Sequence, residues 1–286
     1  MMRTIRRVVL AGLFVAILLL PALPADTPNT QFADSNVDLV FIVDRTTSMA
    51  ATDYDGGHTR LEGVAEDIRR VTELAPQARY SVVTIDNRAQ LALPPTNDAA
   101  ALTTLAETLG WRDEQQGSGT DIGIATDVVV QLLQSSQQDH PRNKRYVIYM
   151  GDGEQTARSA PTSLAPIRQY TDGAQVFGYG TAEGATMLAR PGSSEILTRN
   201  GEHPISKIDQ GNLQKLAAEL GGQYQHRTGD EELTLWPGIT ANVEPDLQHS
   251  DEIPVVWILG IVAAVLTCWD LLATIRQARK FWLEVR

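Results

Sequence analysis

The stretch that most constrains the fold is Val37-Asp-Leu-Val-Phe-Ile-Val-Asp44-Arg-Thr46-Thr-Ser48. Its run from Val37 to Val43, rich in β-branched residues and bounded by polar loops, reads as a parallel strand buried on both faces. The run ends abruptly in oxygen-bearing side chains. Asp44, Thr46 and Ser48 fall at alternate positions just past the strand's C-terminal edge, so in an extended loop they can converge on one point. That edge is where open α/β sheets place their ligands. A carboxylate and two hydroxyls, with no Cys or His nearby, suit a hard cation such as Mg²⁺ better than zinc.

Three oxygens do not complete an octahedron, so other strand ends must contribute. Gly117-Ser-Gly-Thr120-Asp-Ile-Gly reads as the opening of a helix. Tyr146-Val-Ile-Tyr-Met-Gly-Asp152-Gly-Glu reads as a second buried strand ending in a carboxylate. Asp, Thr and Ser also serve as turn formers and N-caps, so the first string alone does not define a site. Three such motifs in order, each after a strand or before a helix, point to one metal centre.

Taken together, Asp44-x-Thr46-x-Ser48, Thr120 and Asp152-Gly resemble the metal-ion-dependent adhesion site of a von Willebrand factor A domain. The resemblance implies Mg²⁺ or Mn²⁺ as cofactor, direct contact from the hydroxyls of Thr46, Ser48 and Thr120, and carboxylates Asp44 and Asp152 that often act through water. It also implies an open coordination position that a partner protein's acidic side chain can fill. Thr46 stands where the family usually has Ser, a change that keeps the hydroxyl.

The chain's 286 residues, 43% of them hydrophobic, suffice for one sizeable α/β domain with additional ends. Both ends are basic, so the interior is more acidic than the formal net charge of -11. Such a body repels nucleic acid and anionic lipid and favours cations and basic surfaces. The single cysteine, Cys268, allows no intramolecular disulfide or thiolate cluster. The five histidines are scattered through loops without metal-binding spacing, and solvated or turn positions are expected for them.

The N-terminus, with Arg3, Arg6 and Arg7 before an apolar run from Val8 to Leu20, fits a secretory signal peptide or an uncleaved membrane anchor over residues 1–25. Residues 253–275 are long and apolar enough for a transmembrane helix, with Trp257 and Trp269 as interfacial anchors. Asp251 and Glu252 precede this span, and Arg276, Arg279, Lys280 and Arg286 follow it. The positive-inside rule then puts tail 276–286 in the cytoplasm and the acidic domain outside. Asp270 lies near the inner end of the span, where it can snorkel toward Arg276 or the headgroups.

Between these ends strands alternate with helices, predicting an α/β, doubly wound, mostly parallel sheet over residues 35–228. Strands are expected at Val37–Val43, Tyr80–Ile85, Ala89–Leu93, Lys144–Met150, Ala174–Gly180 and Gly222–His226. The closeness of the second and third demands an antiparallel hairpin, stopped by Pro94-Pro95. Helices are expected over Arg60–Leu74, Ala99–Leu109 with Asp98 as N-cap, Ile122–Leu133, and Leu213–Leu220 ended by Gly221. Trp111 to Ser118 reads as a polar loop, and residues 229–252 as a linker. The family resemblance implies six strands in Rossmann-like order 3-2-1-4-5-6, with strand 3 antiparallel.

Asp53 through Leu61, Pro94-Pro-Thr-Asn-Asp98, Gly180-Thr-Ala-Glu-Gly184 and the run from Ile205 to Tyr224 are more particularly similar to the Bat-type membrane proteins of aerotolerance operons. Asp86 departs from that pattern, which often has Phe after the second strand. The resemblance implies a domain held by hydrophobic segments at both ends. It also implies, as partners, other such membrane proteins and a MoxR-type AAA+ ATPase. A binding module in a cell-envelope or stress-related complex is thus expected. A Mg²⁺-dependent phosphatase is the alternative, but those enzymes need a second Asp two residues after the first, where this chain has Thr46. A purely structural envelope protein, whose oxygens only cap helices, is the third. Arg45 and Asp121 flank the expected ligands and could tune the site or pair with neighbours, and Glu154 reads as a solvated loop residue.

Overall fold

The computed structural model describes residues 36–112, 120–229 and 231–235, together with Val265, Thr267, Trp269, Leu272 and Ile275. The chain divides into two compact units, residues 32–245 and residues 1–31 with 246–286. In the second unit the five described residues are helical and exposed. The expected segment at 1–25, the rest of the span at 253–275 with Asp270, the tail at 276–286 and loop residues 113–118 lie outside the described residues. Among the described residues no helix is long and apolar enough to cross a membrane.

The larger unit is built on β1 (Val37–Asp44), all eight residues of which are buried. It runs parallel to β2 (Arg79–Ile85) on one side, with Asp44 opposite Ile85. β3 (Ala89–Thr96) then pairs with β2 antiparallel. On the other side β1 pairs with β4 (Lys144–Gly151), which pairs with β5 (Gly173–Tyr179). A two-stranded ribbon, β6 (Ala185–Thr186) and β7 (Ile205–Ser206), interrupts the sequence before β8 (Gln223–Arg227) completes the sheet beside β5. The order is β3-β2-β1-β4-β5-β8, so the expected six-stranded, mostly parallel arrangement is present, with β8 as its sixth strand.

Alternation along β1 decides which core each residue enters. Leu39, Phe41 and Val43 pack with Leu61, Val64, Ile68 and Val71 of α1 (Arg60–Leu74) and Leu102 of α2 (Ala99–Thr108). Val40 and Ile42 face Val129 and Leu133 of α3 (Thr126–Asp139) and Leu213, Leu216 and Leu220 of α4 (Gln210–Leu220). Each such side chain, fully buried, contributes about 1.5–3 kcal/mol. That explains why the strand bearing Asp44 is a rigid platform.

α1 has the expected bounds, started by a capping box between Thr59 and Glu62. Asp98 caps α2 by accepting from the amides of Ala100 and Ala101, as expected, while Asp209 caps α4 by accepting from Asn212. Two expectations are corrected. α3 starts at Thr126 rather than Ile122, because Asp121 accepts from Gly123 N and from Thr162 N and Oγ1, which ties residues 121–125 into a turn. β3 continues through Pro94 and Pro95 to Thr96. It is the outer strand, with register shifts against Tyr80 and Val82, so a missing amide donor there costs no ladder bond. The packed unit also extends past residue 228: Leu235 is buried in the core on the α1 side, and Gln225 Nε2 donates to Glu232 O at 2.8 Å.

Candidate metal centre

The parallel register brings Gly151 beside the end of β1, since Val43 pairs with Met150. A Cβ built on Gly151 would lie 2.8 Å from Asp44 Cβ, so only glycine lets the two strand ends approach this closely. Asp152 follows immediately, and both carboxylates are fully buried. Asp152 Oδ1 accepts from Glu154 N at 3.0 Å, and its carbonyl accepts from Asp209 N at 2.8 Å, anchoring the turn to the start of α4.

After Asp44 the chain leaves the sheet through a short 3-10 turn, Thr47–Ala50, whose Met49 and Ala50 are buried. This folds Thr46 and Ser48 back over the strand end. Asp44 Oδ1 accepts from Thr46 N at 2.9 Å and from Thr46 Oγ1 at 2.7 Å, and Thr46 Oγ1 lies 2.9 Å from Ser48 Oγ. The first three expected ligands thus form one cluster. Thr120 is docked on the loop after Asp152: its N donates to Thr156 Oγ1 at 2.7 Å, and its carbonyl accepts from the amides of Thr156 and Ala157.

Electrostatics tie the two halves together. Burial, then the Asp152 charge, pushes the Asp44 carboxyl from its ordinary 3.8 up to about 7, against the lowering effect of its Thr46 bonds; Glu154 pushes it further up. Asp44 Oδ2 is buried and has no hydrogen-bond partner among the described residues. The hydroxyl of Tyr149 is equally buried and unpartnered there, and its pKa is raised well above 10 by burial and then by Asp44, Asp152 and Asp121. Asp121 directly follows Thr120, whose backbone is the part held against the loop after Asp152.

The oxygen donors of Asp44, Thr46 and Ser48 are of the kind a hard divalent ion takes. Two oxygens at 2.0–2.1 Å from an octahedral Mg²⁺ are about 2.9 Å apart when they occupy neighbouring vertices, which is the Thr46–Ser48 separation. Thr46 spends its proton on Asp44 and keeps a lone pair. The orphaned Asp44 oxygen, beside a second buried carboxylate, is an acceptor without a partner among the described residues.

The residue that sequence reasoning missed is Arg60, at the first position of α1 and fully buried. Its Nη1 donates to Asp152 Oδ2 at 2.8 Å and lies 3.5 Å from Ser48 O, so one nitrogen spans two of the expected metal-site residues. Nε and Nη2 form a fork on Asp53 at 2.8 and 2.9 Å, and Ser206 accepts from the same guanidinium through Oγ and O. Burial lowers the Arg60 pKa, but Asp53 and Asp152 outweigh this and raise it. The only hint in the sequence is a cation in the first turn of a helix, where the dipole opposes it.

Glu154 is not a solvated loop residue: it accepts from Ser206 Oγ at 2.8 Å, and burial followed by the Asp152 charge raises its pKa. Arg45 pairs with Asp86, their closest atoms 4.0 Å apart, and Asp121 is committed to its turn. His226 lies in β8, within the strand expected at Gly222–His226, with Nε2 2.7 Å from Gly180 O.

Residues 39–155 match the von Willebrand factor type A domain model. Among solved structures the chain is similar to BatB from Bacteroides thetaiotaomicron, with 22% identity, 66% of this chain and 89% of that chain covered, and a TM-score of 0.56. It is also similar to an aerotolerance-related membrane protein from Bacteroides fragilis, with 21% identity, 68% and 92% covered, and a TM-score of 0.56. No functionally curated protein matches the chain. Over residues 39–155, therefore, the chain is similar to von Willebrand factor type A domains, and its sheet has the fold of these two proteins.

Proposed function

We propose that this domain is a binding module that holds Mg²⁺ or Mn²⁺ through Asp44, Thr46, Ser48, Thr120 and Asp152 and offers it to an acidic side chain of a protein partner. The observation that carries the reading is the buried Asp44 carboxylate, one oxygen unpartnered among the described residues, next to the buried Asp152. A divalent ion gives the unpartnered Asp44 oxygen a cation to bind. It also lets an otherwise acidic protein attract a carboxylate. A phosphoryl-transfer reading has less support, because Thr46 stands where the second carboxylate would be and is bonded to Asp44.

The same proposal places the domain outside the cytoplasm, held by the segments at 1–25 and 253–275, with tail 276–286 inside. Its partners in this reading are other membrane proteins of the same type and a MoxR-type ATPase. Support comes from the charge asymmetry around residues 253–275 and from the Bat-type resemblance.

The test is calorimetric titration of the full chain, purified in detergent, with Mg²⁺. Saturable heat is expected from the parent protein, and Asp44→Ala and Thr120→Ala should abolish it. Unchanged binding in both variants would sink the assignment. Pull-down with and without chelator, read by mass spectrometry, then identifies partners whose capture needs the ion.

A further inference from the structure

We propose that Arg60 is a positioning residue that makes Asp152 present a single oxygen to the bound cation, so that the site prefers Mg²⁺ to Ca²⁺. The inference rests on the metal-binding reading above and adds a determinant of its selectivity.

The chain is built around this guanidinium. The capping box of Thr59 and Glu62 fixes where α1 begins and therefore where Arg60 stands. Gly180 has φ +109, and a Cβ there would lie 2.4 Å from Arg60 Nε, so the end of β5 passes the arginine at a distance open only to glycine. Every nitrogen is engaged: Nε on Asp53, Nη2 on Asp53 and Ser206, Nη1 on Asp152 and Ser206. A planar fork saturated in this way has one orientation.

That orientation constrains Asp152. Its Oδ2 is held by Arg60 and its Oδ1 by Glu154 N, so the carboxylate cannot swing to clamp an ion with both oxygens. Ca²⁺ takes six to eight oxygens in flexible geometry and commonly uses bidentate carboxylates, whereas Mg²⁺ demands a compact octahedron and keeps several waters. A carboxylate restricted to one oxygen serves the smaller ion. Outer partners of this kind typically change metal affinity 10–100-fold when altered.

The experiment measures Mg²⁺ and Ca²⁺ dissociation constants by calorimetry on the full chain in detergent. Arg60→Lys keeps the charge but loses the fork, and the double variant Arg60→Met/Asp53→Asn removes one charge of each sign. Both should lose about tenfold or more of Mg²⁺ affinity and much less for Ca²⁺, collapsing the Mg²⁺/Ca²⁺ ratio. Lower thermal stability with an unchanged ratio would make Arg60 merely structural and overturn the proposal. Parent protein that binds Ca²⁺ as tightly as Mg²⁺ overturns it whether or not the variants fold. Parent protein that binds neither ion overturns the metal reading itself.

Discussion

Replacing Asp44 by Asn should stabilise the metal-free protein, and bound Mg²⁺ should cancel the gain. In the metal-free protein the folded state holds this carboxylate buried beside Asp152, with a pKa of about 7 against 3.8 ordinarily. At about 1.4 kcal/mol per pKa unit, the ionised form costs the fold on the order of 4 kcal/mol. A raised carboxyl pKa means that the folded state binds the proton more tightly. The penalty is therefore absent below about pH 4, grows as pH rises, and is complete above about pH 7. Asparagine keeps an acceptor for Thr46 and never ionises, so in chelator above pH 7 Asp44→Asn should be more stable than the parent by up to that amount. Near pH 4 the two should converge. Mg²⁺ at a thousand times its dissociation constant adds about 4.1 kcal/mol to the parent alone, which should close the gap. Denaturant unfolding at pH 4 to 8, with chelator and with Mg²⁺, reads all four limits. Destabilisation of Asp44→Asn by the same amount with and without Mg²⁺ would refute the argument that the buried charge awaits a cation.

Two further outcomes follow from packing. Gly151→Ala puts a methyl against Asp44 and should cost about 1–3 kcal/mol in denaturant melts while weakening Mg²⁺ binding, because the strand ends must part; unchanged affinity would show that their close approach is irrelevant to the site. Asp67→Asn breaks a fully buried pair in which Arg227 donates to both Asp67 oxygens at 2.8 Å, and should cost about 3–5 kcal/mol while leaving Mg²⁺ affinity as it was; a cost under 1 kcal/mol would mean that water reaches the pair.

The parallel strands were legible because strands buried on both faces must be apolar almost throughout, and few other elements look like β1, β4 or β5. Four of the candidate oxygen-bearing residues, Asp44, Thr46, Ser48 and Asp152, were legible because they sit just after β1 and β4. The β6–β7 ribbon was not, since strands of two residues have no period to detect. Nor was the Arg60 network. An arginine after a polar, glycine-bearing loop reads as solvated, and its carboxylates lie 7 and 92 residues away in the chain. Only the closed fold reveals that Asp53, Asp152 and Ser206 meet on one side chain. The turn at 121–125 was missed for a related reason: the Thr162 that holds Asp121 comes from a loop 41 residues on.

The outer edge at β3 governs how copies of this chain behave when crowded. Pro94 and Pro95 remove two consecutive amide hydrogens from that strand, and the register shifts beside Tyr80 and Val82 spoil the flat template that a second copy's strand would need. Self-association by sheet extension is therefore disfavoured at the Pro94–Pro95 end of this side by the backbone itself.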